Sequence, residues 1–178
     1  MKRMDKELIN ALKNCGAVKF GDFTLASGRK STYYVDIKKA ITDPATLELI
    51  ANRITGIMKE RHICARAIGG VAVGGIPLAT AVSLKSGLPL VIIRKSLKEY
   101  GTGGRFIGDV AGRELLMLED VTTTGGSVIE AIKDLKGEGA VVNMVITVVD
   151  RDEGASAGLE GMGVELLPLV RAADLLNG

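Results

Sequence analysis

From Ala65 to Leu169 the chain alternates short aliphatic runs with helical stretches, and this alternation is what most restricts its fold. Ala65–Ile68, Leu90–Ile93, Glu114–Leu118, Val141–Val149 and Val164–Leu169 have the length and branched aliphatic content of strands. Between them, Ile76–Lys85, closed by Gly87, and Gly126–Lys136 carry helical spacing. A β-α-β-α-β order with short connections predicts an α/β fold, a doubly wound and mostly parallel sheet flanked by helices. Aromatic residues are only 3% of the chain and Trp is absent, so the core must be aliphatic, as strands buried on both faces require. Ligands in such sheets bind outside the C-terminal strand ends.

The first third reads differently. Leu8, Ile9 and Leu12 mark the buried side of a helix over Lys2–Asn14 that ends at Gly16. Val18–Leu25 reads as a short hairpin, followed by a polar turn at Ser27–Ser31 and a strand over Thr32–Ile37. Asp43 and Pro44 have the chemistry of a helix start, and Leu47, Ile50, Ala51, Ile54 and Met58 give that helix its apolar face. The stretch Arg94–Arg113 has no helical period and is rich in glycine, so it is expected to be a functional loop. The alternative is a surface β-hairpin with a loose tip.

Several chemistries are excluded. One histidine, His62, lies at what looks like an exposed helix end, which removes Ser-His-Asp triads, Cys-His pairs and His-rich metal sites. Cys15 and Cys64 are far apart and form no CxxC pair, so they read as reduced thiols. The 23 basic residues against 21 acidic ones give +2, too balanced to argue for nucleic acid. No apolar run has the length of a membrane span, and the N-terminus lacks a signal peptide's apolar stretch, so a cytoplasmic protein is expected. Neither GxGxxG nor GxxxxGK[ST] occurs, which withdraws support from nicotinamide and P-loop readings.

The segment with the most chemistry is Leu115-Leu116-Met117-Leu118-Glu119-Asp120-Val121-Thr122-Thr123-Thr124-Gly125-Gly126-Ser127. An apolar strand runs into two acids, then a hydroxyl-rich turn with two glycines, then a helix. Such a turn presents backbone N–H groups to an anion at the positive end of the helix dipole. Glu119 and Asp120 would repel a phosphate, but they suit the two vicinal hydroxyls of a ribose. Together these features describe a sugar-phosphate site. A simple acidic helix cap needs one such residue rather than six in a row.

This segment resembles the phosphoribosyl pyrophosphate (PRPP) motif of the type I phosphoribosyltransferases. In that family the acids bind the ribose hydroxyls and the turn binds the 5-phosphate. Phe23–Asp36 resembles the N-terminal signature of the orotate phosphoribosyltransferases, Gly74–Ala79 the turn and helix after their pyrophosphate loop, Arg94–Gly101 the start of their catalytic loop, and Asp150–Ala155 a late Asp-Arg-Glu-Glu-Gly-Ala stretch. The matches run in family order from about residue 18 to 155. The resemblance implies one phosphoribosyltransferase domain over residues 1–178, with about residues 1–40 forming an N-terminal hood. It implies transfer of phosphoribosyl from PRPP to orotate, with magnesium bridging substrate oxygens and few protein ligands to the metal. PRPP contacts would come from Arg94, Lys95, Lys98, Glu119, Asp120, Val121, Thr122, Thr123, Thr124, Gly125, Gly126 and Ser127. Ala72, Val73 and Gly74 would form the pyrophosphate loop, with a non-proline cis bond at Ala72-Val73, while Thr123 and Arg151 would contact orotate. Lys98 and Asp120 are the catalytic candidates. A homodimer is also implied, with the Arg94–Asp109 loop reaching the neighbour's site.

Elementary physics is compatible with these roles. Arg94, Lys95 and Lys98 could stabilise a departing pyrophosphate, although a lysine-rich turn is usually a solvated loop. Arg151 follows a strand end, where it could pair with a pyrimidine carboxylate or with Asp150 or Asp152. The chain departs from many bacterial relatives at Ala26 and Gly74, where they carry lysine, and at Tyr100, where they often carry histidine. Arg29, Lys30 and Arg105 are candidates to compensate. Two rival functions are a purine or other base phosphoribosyltransferase and a PRPP-sensing regulator. For the second, about 17 residues before the first strand are too few for a helix-turn-helix.

Overall fold

The computed structural model describes residues 5–24, 30–98 and 104–177, with the backbone alone at 20, 31, 96–98 and 177. A six-stranded sheet has the order β5-β4-β3-β6-β7-β8, and a separate two-stranded sheet pairs β1 with β2. The strands of the large sheet are β3 (Ala67–Val71), β4 (Leu90–Lys98), β5 (Gly104–Ile107), β6 (Glu114–Thr122), β7 (Val141–Asp150) and β8 (Glu165–Arg171). All neighbouring pairs are parallel except β4 with β5. The doubly wound, mostly parallel sheet expected from the alternation is therefore present.

Strand β6 shows why the apolar runs have no visible alternation. Leu116 and Leu118 face the side covered by α1 (Lys6–Asn14), α3 (Pro44–Glu60) and α4 (Gly75–Ser86). Leu115 and Met117 face α5 (Gly126–Gly137) and α6 (Ala155–Glu160). All four are at most 2% exposed, so both faces of the strand contribute to a core. Each such aliphatic side chain contributes about 1.5–3 kcal/mol on burial.

Helix ends follow their local chemistry. Asp43 accepts the Thr46 N–H at 2.8 Å and caps α3, with Pro44 in the first turn. Gly87 closes α4 in the left-handed conformation. His62 is exposed just beyond α3, as expected.

The N-terminal third differs from expectation. Val18–Leu25 is not itself a hairpin: β1 (Val18–Thr24) is one strand, paired antiparallel with β2 (Lys30–Val35). A register shift between Phe20 and Phe23 absorbs the irregularity that read as a turn. The strand expected over Thr32–Ile37 stops at Val35, because Ile37 begins a short helix, α2 (Ile37–Thr42), that buries Ile37, Ala40 and Ile41. The strand expected over Ala65–Ile68 is β3, which starts at Ala67 and runs on through Gly69, Gly70 and Val71. Arg94–Arg113 is not structureless among the described residues, since β4 continues to Lys98 and pairs with β5. The paired strands of the hairpin alternative are present, and its tip lies outside the described residues. Helix α6 and the terminal helix α7 (Ala172–Asn177) carry no expected counterpart. No described helix is long and apolar enough to cross a membrane.

Candidate active site

The chain leaves β3 through α4 toward β4, then crosses back to place β6 on the other side of β3. This reversal is the switch point at which the loops after adjacent strands diverge and leave a crevice. A cavity of about 350 Å³ opens there, lined by Val71–Gly74 from the end of β3 and by Glu119–Thr123 and Gly125–Val128 from the end of β6. Lys38 from α2 and Lys95 from β4 complete the described wall.

Two helix N-termini meet this cavity. Gly74 precedes α4 and Gly125 precedes α5, and neither helix start receives a side-chain cap. The α5 start thus offers its first-turn N–H groups to an anion, whereas at the α4 start Pro77 has no N–H and the Ile76 N–H donates to the Val73 carbonyl at 3.3 Å. Gly125 has φ of 77°, a left-handed turn that glycine adopts without steric cost. The Ala72–Val73 peptide is cis.

The acids sit between these two helix starts. Glu119 is 7% exposed, and its Oε1 is buried without a hydrogen-bond partner. Burial, with the neighbouring Asp120 carboxylate adding repulsion, pushes the Glu119 carboxyl up to about 8. Asp120 accepts the Val121 N–H at 2.9 Å and packs against Gly74, where a Cβ would stand 2.0 Å from Asp120 Oδ2. Glycine at 74 is thus a condition for this Asp120 position. Thr122 turns its hydroxyl inward and donates to buried Asp150 at 2.9 Å, tying β6 to β7 at the cavity floor.

Hard oxygen donors such as Glu119 and Asp120 suit magnesium. Among the described residues, no group of three or more His, Cys, Asp or Glu side chains could hold a metal. The unpartnered Glu119 oxygen beside Asp120 therefore fits an ion whose other ligands come from a bound anion.

The structure gathers most of the expected residues. Ala72, Val73, Gly74, Lys95, Glu119, Asp120, Val121, Thr122, Thr123, Gly125, Gly126 and Ser127 share the cavity wall. Thr124 does not line it, and neither does Arg94, whose guanidinium donates to the Gly104 carbonyl at 3.3 Å. Arg151 lies outside the wall too, under the Tyr33 ring with Cζ 5.3 Å from its centroid. Its Nε is 2.9 Å from Glu153 Oε1, an ion pair without hydrogen-bond geometry. Asp150 and Asp152, the partners considered for Arg151, instead face Arg171. The Lys98 side chain, Ala26, Arg29 and Tyr100 lie outside the described residues. Of the proposed compensating cations, Lys30 donates to Thr24 at 2.9 Å and is not on the wall. Arg105 is buried against Glu130 and Asp134 of α5 and does not reach it. Lys38 was not anticipated: nothing in the Lys38-Lys39 pair distinguishes the residue that meets the cavity.

Residues 39–160 match the model of the phosphoribosyl transferase domain family. The chain is 59% identical over 173 residues to the orotate phosphoribosyltransferase of Methanosarcina acetivorans, covering 97% of this chain and 91% of the relative. Its fold is similar to the crystal structure of orotate phosphoribosyltransferase from Aeropyrum pernix, with TM-score 0.87, 33% identity and 96% of each chain covered. It is also similar to the Mycobacterium tuberculosis orotate phosphoribosyltransferase solved in complex with PRPP, with TM-score 0.79, 30% identity, and 95% of this chain and 96% of that one covered.

Proposed function

The chain belongs to the orotate phosphoribosyltransferases and transfers the phosphoribosyl group of PRPP to orotate in pyrimidine biosynthesis, and from that premise we propose how its residues divide the reaction. The observation that carries the division is one cavity that joins two uncapped helix N-termini through a pair of acids. The bond from orotate N1 to the anomeric carbon forms as the bond from that carbon to the pyrophosphate oxygen breaks, and N1 loses its proton. The transition state is loose and oxocarbenium-like, so positioning and charge stabilisation supply most of the rate.

The α5 start, with Thr123, Thr124, Gly125, Gly126 and Ser127, holds the 5-phosphate. Glu119 and Asp120 hold the ribose hydroxyls, while Val121 and Thr122 shape the floor. The Ala72-Val73-Gly74 turn and the α4 start hold pyrophosphate. Glu119 and Asp120 would be the protein oxygens to hold magnesium brought in with PRPP, and the ion would supply positive charge to the departing pyrophosphate. Thr123 and Arg151 hold orotate, Arg151 pairing its outer N–H edge with the carboxylate. Residues 1–178 act as one domain, with about residues 1–40 as a hood over the base. The protein works in the cytoplasm as a homodimer, in which Arg94 and Lys98 on the β4–β5 hairpin act on the neighbour's leaving group.

Magnesium-dependent loss of orotate absorbance with PRPP, run beside hypoxanthine, adenine and uracil, tests the reading. Consumption of orotate alone is the expected outcome. Turnover of a purine with none of orotate would overturn the substrate.

A further inference from the structure

The described charge on the cavity wall consists of Glu119, Asp120, Lys95 and Lys38. Lys95 is one of the cations that the catalytic reading already uses. Lys38 is not, although it stands on a helix packed against the core. Ile37, Ala40 and Ile41 of α2 are each at most 8% exposed, and they fix that helix against the core. The opposite side carries Lys38 and Lys39, both exposed, and of the two only Lys38 reaches the cavity.

The chemistry of the wall says what an ammonium there would meet. The 5-phosphate end is the α5 start, supplied by backbone N–H groups and by hydroxyls. The acids accept the ribose hydroxyls beside it. The anomeric carbon and the 5-carbon lie on opposite sides of a ribose ring. The diphosphate on the anomeric carbon therefore falls toward the Ala72–Gly74 turn, the α4 start and the lysines. That turn has no cation of its own, since residue 74 is glycine and a Cβ there would stand 2.0 Å from Asp120 Oδ2 where Asp120 now sits. Within one chain, backbone N–H groups and Lys95 alone are little charge to hold a diphosphate so close to two carboxyls before the neighbour's Arg94 and Lys98 arrive.

We infer that Lys38 is part of the pyrophosphate subsite. Its ammonium, with Lys95 and the 72–74 turn, binds the diphosphate of PRPP before transfer and the released pyrophosphate after it. This inference rests on the reading of the cavity as the PRPP site.

Calorimetric titration of inorganic pyrophosphate with magnesium into wild type, Lys38→Ala, Lys38→Arg and Lys39→Ala tests it. Lys38→Ala should weaken pyrophosphate about tenfold and raise KM for PRPP by a similar factor, leaving KM for orotate and the affinity for ribose 5-phosphate unchanged. Lys39→Ala should stay within about twofold of wild type, and Lys38→Arg, which keeps the charge with a different geometry, should bind pyrophosphate more tightly than Lys38→Ala. Three results would each overturn the assignment: equal pyrophosphate affinity in wild type and Lys38→Ala, an equal loss in Lys39→Ala, or a loss that falls on ribose 5-phosphate instead. Lys38-dependent pyrophosphate binding in a protein that leaves orotate unconsumed supports the subsite and overturns the substrate reading alone.

Discussion

Glu119 buries a carboxyl next to a second acid, and its proton affinity rises as a result. The folded protein holds this proton up to about pH 8, whereas an unstructured carboxyl releases it near 4.5. Through that window the folded state binds more protons than the unfolded chain, so stability present below 4.5 is progressively lost as pH rises to about 8. Glu119→Gln removes the titration. Its stability advantage over wild type should grow between about pH 5 and pH 8, as read by urea unfolding; a difference that stays constant with pH would contradict this account. Gly74 makes the complementary point about space. Gly74→Ala should displace Asp120 and weaken PRPP binding about tenfold or more in a calorimetric titration, while secondary structure survives. Unchanged PRPP affinity would mean that Asp120 is free to sit elsewhere.

The β4–β5 hairpin brings Lys95 to the cavity wall. Arg105, 7% exposed, pins its returning strand to α5 through Glu130 and Asp134, and its Nε donates to the Arg94 carbonyl at 3.0 Å. The basic segment Arg94–Lys98 is thereby tied to the helix whose start lines the cavity and is proposed to hold the 5-phosphate. Arg105→Met should cost about 1–3 kcal/mol, since Glu130 and Asp134 remain partly solvated while the Arg94 carbonyl loses its donor. Urea unfolding measures this, and no loss of stability would show that strand pairing alone holds the hairpin.

At the scale of the whole molecule, the proposed homodimer sets a test that no single chain can pass. Lys98→Ala and Asp120→Asn should each lower turnover by about 100-fold or more. In a sharing dimer of the two variants, one site carries both substitutions and the other carries neither. Random mixing in equal amounts should restore about a quarter of wild-type activity. Mixtures no more active than their parents would place each complete site within one chain.

The alternation of aliphatic runs and helices made the sheet legible, because a strand covered on both faces needs nearly continuous apolar sequence. The Glu119–Ser127 segment made most of the cavity wall legible as well, because its backbone donors, hydroxyls and acids are contiguous along the chain. Where distant segments meet, the sequence was silent or misleading. The acids ended up inside β6 rather than after it, and the stretch expected to be a loop turned out to pair as a hairpin, because ladder hydrogen bonds come from partners elsewhere in the chain. Arg105 turned from a candidate phosphate ligand into a pin on α5, and Arg151 took Tyr33 and Glu153 in place of its sequence neighbours. Lys38 became part of the wall only through the packing of α2. Local chemistry thus determined the fold class and most of the cavity wall. Tertiary packing decided which charges face the cavity, since burial and distance between remote residues are properties of the folded chain alone.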